Sequence, residues 1–287
     1  MNYRHAFHAG NFADVFKHAL LARLLTALGR KDAAYFVLDT HAGAGLYDLA
    51  GEEAARGGEW REGLGRIEAD PPQGETGALL APWRAAVAAA RGAHGAEAYP
   101  GSPLIAQHLM RPQDRLICCD LHEETRVALA AALGRDRRAK ALGVDGYVAL
   151  GAHVPPKERR GLALIDPPFE RRDEFATLAR AAVAAQRKWA TGVYALWHPV
   201  KDVTQARGLA DAIAAAGVKR VLRVELLIGA DGRAPRGGGP PLIGCGLVVI
   251  NPPFGFVEEA RALASFLAAR LSRGAPTGAR VDVVAGE

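Results

Sequence analysis

Five short apolar runs in this chain each stop at a polar side chain. Tyr35–Leu38 stops at Asp39, Arg115–Cys119 at Asp120, Ala141–Val144 at Asp145, Leu162–Ile165 at Asp166 and Val193–Trp197 at His198. Runs of this length, bounded by turn residues, read as strands buried on both faces. Helical patterns separate several of them, over 123–134, 173–189 and 202–216. Such alternation predicts an α/β fold with an open, mostly parallel sheet, and ligands of such sheets bind outside the carboxyl ends of the strands. Asp39, His41, Asp120, Asp145 and Asp166 would gather at that edge. Ahead of the first strand, Asn11 and Asp14 precede Val15, Phe16, Leu20, Leu21, Leu24, Leu25 and Leu28, a capped amphipathic helix that Gly29 ends. Two late apolar runs, 219–228 and 243–250, are joined only by a glycine- and proline-rich loop. So short a connection predicts an antiparallel pair.

One spacing departs from this rhythm. A strand–helix–strand unit needs about 30 residues, and far more than that separate Asp39 from Asp120. The surplus, 49–99, holds Glu52, Trp60, Pro71, Pro72, Trp83 and Tyr99, and reads as a small helical insertion beside the ligand edge. The expected organisation is one α/β domain formed by 1–48 and 100–287, interrupted by a helical subdomain at 49–99.

Composition narrows the setting. No stretch approaches the roughly 20 apolar residues that span a bilayer, and the opening residues carry Tyr3, Arg4, His5 and His8 in place of an apolar leader. Cys118, Cys119 and Cys245 all sit in apolar runs, so buried thiols in a reducing cytoplasm are expected rather than disulfides. The net charge of +5 and pI near 9.3 suit a polyanionic partner. Basic residues cluster at Arg135, Arg137, Arg138 and Lys140, at Lys157, Arg159 and Arg160, and at Arg171 and Arg172. The histidines His5, His8, His18 and His41 lack a compact ligand spacing and a neighbouring cysteine, so no metal centre is expected. No long apolar seam stands out, which favours a monomer.

Asp166-Pro167-Pro168-Phe169 carries the sharpest chemical signal. The exocyclic N6 of adenine is a poor nucleophile because its lone pair is delocalised into the ring. A carboxylate and a backbone carbonyl that accept its two N–H bonds favour a tetrahedral, nucleophilic nitrogen. The two prolines stiffen the backbone and offer no competing N–H, and Phe169 can stack on the base. Asn251-Pro252-Pro253-Phe254 matches the same pattern. An antiparallel last strand would carry Asn251 to the opposite edge, so Asp166 is preferred. The turn Asp39-Thr40-His41-Ala42-Gly43-Ala44-Gly45 lacks the glycine spacing of a dinucleotide site. It suits a cofactor without phosphates, such as S-adenosylmethionine, with Asp120 placed for ribose hydroxyls and Asp145-Gly146 bordering the adenine ring.

Several segments together resemble a known family. They are Tyr3-Arg4-His5-Ala6-Phe7-His8-Ala9-Gly10-Asn11, the turn from Asp39 to Gly45, Tyr99-Pro100-Gly101-Ser102-Pro103 and Ile165-Asp166-Pro167-Pro168-Phe169-Glu170. The chain resembles the RlmJ family of 23S rRNA adenine-N6 methyltransferases, through Thr191–Trp197 and Val249–Pro253 as well. The resemblance implies a class I, Rossmann-like methyltransferase fold with a mostly parallel sheet, an antiparallel last strand and a helical insertion. It implies contacts to S-adenosylmethionine from Lys17 or His18, His41, Ser102, Asp120, Asp145, Gly146 and Asp166. It makes Asp166 catalytic, with Pro167 and Phe169 in its motif, and puts Tyr3 and His5 at the substrate, 23S rRNA. The family commonly has tyrosine where this chain has Phe169 and glutamate where it has Asp120. Stacking and a bidentate ribose acceptor survive these changes.

Two other readings share the residues. The same chemistry could serve DNA adenine, because the base is identical. A catalytically silent RNA-binding protein would need a broken donor site, yet Asp39, Asp120, Asp145 and Asp166 are all present.

Overall fold

The computed structural model describes residues 5–230 and 240–286. Tyr3 therefore lies outside the described residues. A 3-10 turn at His5–Phe7 precedes α1 (Phe12–Gly29) and β1 (Phe36–Asp39). A short strand, β2 (Leu46–Asp48), opens onto α2 (Glu52–Gly57), α3 (Glu59–Glu62), α4 (Leu64–Ala69) and α5 (Gly74–His94), and β3 (Ala98–Pro100) closes that stretch. Then follow α6 (Ser102–Leu109), β4 (Arg115–Cys119), α7 (Glu123–Leu133), β5 (Ala139–Leu142), α8 (Gly146–His153), β6 (Gly161–Ile165), α9 (Glu174–Lys188), β7 (Val193–Val200) and α10 (Val203–Ala215). The chain finishes with β8 (Val221–Leu227), β9 (Gly244–Ile250), α11 (Phe256–Leu271) and β10 (Gly278–Ala285).

Eight strands form one sheet in the order β10-β8-β9-β7-β6-β1-β4-β5, and β2 pairs with β3 in a separate ribbon. The run β7-β6-β1-β4-β5 is parallel throughout. β9 runs antiparallel to both β7 and β8, as the short late connection predicts. Ile250, at the end of β9, pairs with Tyr194 at the start of β7. Asn251 is thereby carried to the edge opposite Asp166.

Residues alternate between two cores, one on each face of the sheet. Val37, Leu116 and Leu164 join α1, α5, α6 and α11 through Leu20, Leu24, Trp83 and Leu267. Phe36, Leu38 and Ile165 join α8, α9 and α10 through Leu150, Leu178 and Ile213. The helices between β2 and β3 therefore share a core with α1: Trp83, Leu80 and Val87 of α5 belong to the same cluster as Leu20 and Leu24. Cys118, Cys119 and Cys245 are all buried free thiols.

Three local expectations change. α1 is not amphipathic; every residue from Phe12 to Leu25 is buried, because sheet and helices cover it on all sides. β7 does not stop at His198-Pro199 but continues to Val200, since pairing with β9 runs on to Gly244. β5 sits two residues earlier than its apolar run, leaving Val144 to lead into the cap of α8. β10, half-exposed on the sheet edge, alternates Val281 and Val283 with Arg280 and Asp282 and so lacks the continuous apolar run of the central strands.

Candidate active site

The parallel strands bring four carboxylates to one edge. Cross-strand bonds tie the loops leaving them: the Thr40 amide donates to the Leu164 carbonyl (3.0 Å), the Ala42 amide to Cys119 (2.9 Å) and the Asp120 amide to Leu142 (3.1 Å). Asp39, Asp120, Asp145 and Asp166 thus leave adjacent strands at the same level. Three of them are engaged locally. Asp120 accepts from the His122 amide (2.9 Å), and burial raises its pKa. Asp145 caps α8, accepting from the Tyr147 and Val148 amides at 2.9 and 3.0 Å. Asp166 is bound by the Lys17 ammonium at 2.6 Å.

Asp39 differs from all of these. It is 2% exposed, and neither carboxylate oxygen meets a donor in full hydrogen-bond geometry among the described residues, although the Ser102 hydroxyl and the His41 amide lie near it. Burial pushes its pKa up to about 6, although the Ser102 hydroxyl and the Lys17 charge work against that rise. A buried carboxylate in this condition is costly unless something pairs with it. A cationic ligand at the strand ends fits it, and the acidic ring formed with Asp120, Asp145 and Asp166 suits the same charge.

α1 supplies the other half of the site. Asn11 caps it by accepting from the Ala13 and Asp14 amides. One turn in, Asp14 is fully buried, with His5 Nε2 at 3.0 Å, the Gly10 amide at 3.0 Å and Lys17 Nζ at 3.2 Å. Burial alone would raise its pKa; the surrounding His5, Lys17 and His18 instead hold it well below the usual carboxylate range. A chain of contacts therefore runs His5–Asp14–Lys17–Asp166, from the N-terminal segment to the strand end. His18 is sealed below it, 2.8 Å from the Tyr99 hydroxyl, and burial drops its pKa to about 3. His41 is also neutral, its pKa lowered by burial to about 4, with Nδ1 2.8 Å from the Thr40 hydroxyl. The Thr40 hydroxyl also lies 3.0 Å from the Leu164 carbonyl; with the hydroxyl donating there, Nδ1 would carry the His41 proton and Nε2 would be the acceptor.

Two glycines are fixed by crowding. A Cβ on Gly146 would run into the Thr40 carbonyl and the His41 ring. Gly43, with φ of +64°, faces the Tyr47 hydroxyl in the same way. After Asp166 the two prolines lead into Phe169, whose φ of +51° is left-handed and strained for a bulky residue. Its ring is held by Phe175 (4.9 Å) and Trp197 (5.8 Å), and Lys17 Nζ lies 6.0 Å from the Trp197 ring.

This geometry has relatives. The family model described as "Ribosomal RNA large subunit methyltransferase D, RlmJ" matches residues 32–284. The chain belongs to the RlmJ family. Ribosomal RNA large subunit methyltransferase J of Escherichia coli strain K12 is 37% identical over 271 residues, 94% of each chain. The protein of the same name from Haemophilus influenzae is 35% identical over 270 residues, 93% of this chain and 92% of its own length. Among solved structures, protein LPL1258 from Legionella pneumophila superposes with a TM-score of 0.83 at 31% identity, covering 96% of this chain and 98% of that one. The fold is that of a class I methyltransferase, as the sheet order and the antiparallel β9 require.

Within this RlmJ family member, the edge brings together Lys17, His41, Ser102, Asp120, Asp145, Gly146 and Asp166, with His5 linked through Asp14. His18 lies beneath them, 1% exposed, against Tyr99 rather than at the surface of the site. Asn251 stands apart, donating its amide to the carbonyls of Ala190 and Gly192 at 2.7 and 2.8 Å. Sequence reasoning left Asp14, Thr40, Tyr47 and Trp197 without a role in the site. Asp14 offered little signal, since an acid in the first turn of a capped helix, one turn from Lys17 and His18, is ordinary. Among the described residues, no three His, Cys, Asp or Glu side chains gather as a metal site, and no helix is long and apolar enough to cross a membrane.

Proposed function

We propose that this protein transfers a methyl group from S-adenosylmethionine to the exocyclic N6 of an adenine in 23S rRNA, the nucleotide numbered 2030 for the family's substrate. The observation that carries the reading is Asp166-Pro167-Pro168-Phe169 at the end of β6, next to Asp39, a buried carboxylate with no ion pair among the described residues. The donor's sulfonium supplies an electrophilic methyl with a good leaving group, so no strong base is required. Its α-ammonium and sulfonium are the cations that Asp39 and the acidic edge would accept. Lys17, His18, His41, Ser102, Asp120, Asp145, Gly146 and Asp166 would hold it, His18 by supporting its neighbours from below.

The remaining steps belong to the chain's own residues. Asp166 has two carboxylate oxygens, and Lys17 occupies Oδ2. Oδ1 can therefore accept one N6–H while the Pro167 carbonyl accepts the other. That pairing draws the nitrogen toward tetrahedral geometry and aims its lone pair; once N6 has taken the methyl group it is acidic, and its surplus proton leaves through Asp166 Oδ1 to water. Phe169, held edge-on by Trp197, stacks on the base. Tyr3 and His5 act on the substrate side, with His5 kept in place by Asp14. The adenine must be unpaired or flipped out to reach this depth.

The names of the Escherichia coli and Haemophilus influenzae relatives favour ribosomal RNA over DNA. We take 1–48 and 100–287 as the catalytic unit, 49–99 as the helical insertion, and the working form as a cytoplasmic monomer. The test is incubation with labelled S-adenosylmethionine and unmethylated 23S rRNA, followed by digestion and nucleoside identification, with matched DNA and RNA oligonucleotides alongside. N6-methyladenosine at one rRNA site supports the reading. Label in the DNA oligonucleotide alone would replace it with the DNA alternative.

A further inference from the structure

The second Pro-Pro-Phe turn has no part in methyl transfer, yet it is built with unusual care. Phe254 is 96% exposed, in a chain whose other aromatic rings are mostly packed. Among the described residues, three of the four non-glycine residues with left-handed backbones lie at or beside this turn: Asn251 (φ 55°), Arg220 (φ 55°) and Arg159 (φ 58°). The Asn251 amide donates to the Arg220 carbonyl (2.9 Å), and Arg220 Nη2 donates to the Pro252 carbonyl (3.1 Å). The Asn251 side chain reaches the Ala190 carbonyl, while the Arg159 carbonyl accepts from the Trp189 indole (3.2 Å). Asparagine tolerates this conformation, but arginine gains nothing from it, and such strain persists where the surroundings impose it.

Beside the turn opens a cleft of about 450 Å³ that includes Ala190, Trp189 and Thr191 and is edged by Lys157, Arg159 and Lys188. None of its lining residues is acidic. The nearby Glu158 is turned against Arg115, at 2.8 Å. Lys188 also reaches the Gly151 carbonyl, which anchors its stem at the rim. A solvent-exposed aromatic ring beside a cationic groove is the arrangement that holds single-stranded nucleic acid, with bases on the ring and phosphates in the groove.

We propose that this edge is a second RNA-binding surface, where Phe254 stacks on an unpaired base of the substrate RNA and Lys157, Arg159 and Lys188 hold its phosphates. The two edges are close enough for one RNA to reach both. β6 has five residues, about 17 Å of strand, which about five stacked nucleotides would cover. The inference rests on RNA being the substrate.

The test measures binding of an unstructured RNA of about 20 nucleotides, several times the roughly five that match the strand length and so long enough to pass around the surface between the edges, and methylation of 23S rRNA, for wild type, Phe254→Ala and the pair Lys157→Glu/Arg159→Glu. All three positions are exposed, so folding should survive, and S-adenosylmethionine affinity serves as the control. Phe254→Ala is expected to weaken RNA binding about 5- to 100-fold and to raise KM for rRNA with little change in kcat. The charge pair should flatten the salt dependence of RNA affinity by about two contacts. Wild-type RNA affinity in both variants would overturn the proposal, including where Phe254→Ala instead altered self-association or capture of a protein. Methylation that proceeds in wild type and is unmoved by either variant would leave the functional reading standing and this surface refuted. Weakened RNA binding with no methyl transfer by wild type would do the reverse.

Discussion

Two turns in this chain follow one pattern, an Asp or Asn, two prolines and a phenylalanine, and they sit on opposite edges of one sheet. Asp166 leaves β6, which runs with its parallel neighbours toward the edge where the carboxylates gather. Asn251 leaves β9, which runs the other way. Their backbones differ as well. In the first turn the left-handed residue is the phenylalanine, and its ring is held against Phe175 and Trp197. In the second it is the asparagine, and the phenylalanine stands in solvent. The polar groups are spent differently too: Asp166 pairs with a buried lysine, while Asn251 ties two carbonyls together. A tetrapeptide thus acquires its chemistry from strand direction and from what lies opposite it, not from its letters.

The largest expected effect separates the two turns directly. Asp166→Ala should lower kcat about 1000-fold, the scale of losing a preorganised polar group at the reacting atom. Its thermal unfolding should stay near wild type, because the side chain is partly exposed and Lys17 retains Asp14 at 3.2 Å. Asn251→Ala should leave kcat within about 3-fold, as expected for a site that makes no contact with the reacting atoms. Steady-state methylation of 23S rRNA by the two variants decides it. A dead but folded Asn251→Ala enzyme would break the comparison.

Next comes Asp39, the carboxylate at the ligand edge whose oxygens meet no donor in full hydrogen-bond geometry among the described residues. Its folded pKa of about 6 lies above its ordinary value of 3.8. Between these two values the unfolded chain has released the proton and the folded chain has kept it. Stability from this group therefore falls as pH rises from about 4 to about 6, and the full cost, about 3 kcal/mol, is present above that window. Asp39→Asn should remove the cost, raising the stability of the ligand-free protein at pH 8 by about 1–3 kcal/mol. The same change should weaken S-adenosylmethionine binding at least about tenfold by removing the charge it would pair with. Urea denaturation with and without the donor, at pH 5 and pH 8, measures both. A variant that is less stable without ligand at pH 8 would show that Asp39 is already satisfied.

A smaller effect belongs to the second turn alone. Asn251→Ala removes two side-chain hydrogen bonds and the residue type that best tolerates a φ of 55°. The loss should be about 1–3 kcal/mol of stability. Chemical denaturation of the ligand-free protein checks it, and an unchanged midpoint would mean the turn is not held as its bonds suggest.

The two turns also mark how far the sequence could be read. β1, β4, β6 and β7 were legible because burial on both faces forces continuous apolar runs, whereas β5, half-exposed at the sheet edge, was read two residues late; the acidic residues ending the strands were legible as strand ends. The direction of β9 followed from loop length, which is a local constraint. What stayed hidden depends on partners distant in sequence. Asp14 looks like an ordinary first-turn acid until His5 and the Gly10 amide close over it. α1 carries Lys17 and His18 where a surface helix would place polar residues, and only the helices before β3 show that this face is covered. Asp145, expected beside an adenine ring, is also the cap of α8, a role that Gly146 accompanies by lying against Thr40 and His41. β10 was missed because, as a half-exposed edge strand, it alternates valines with Arg280 and Asp282 instead of forming the continuous apolar run that marks the central strands.

The smallest expected effect concerns the fourth residue of the active turn. Phe169 occupies a strained backbone, and its ring is fixed at 4.9 Å from Phe175 and 5.8 Å from Trp197. If stacking is its whole contribution, a hydroxyl added at the ring's far end changes neither the face nor the anchoring. Phe169→Tyr should then alter kcat/KM by less than about 3-fold, whereas Phe169→Ala should lower it about 10- to 100-fold, the worth of one base–aromatic contact. A glycine would relieve the left-handed strain and separate strain from stacking. If Phe169→Gly matches Phe169→Ala in kcat/KM but is the more stable of the two, the strain is a cost the fold bears to aim the ring. If Phe169→Tyr gains tenfold or more, the ring does more than stack, and a hydroxyl partner at the active turn has to be sought among the residues facing it.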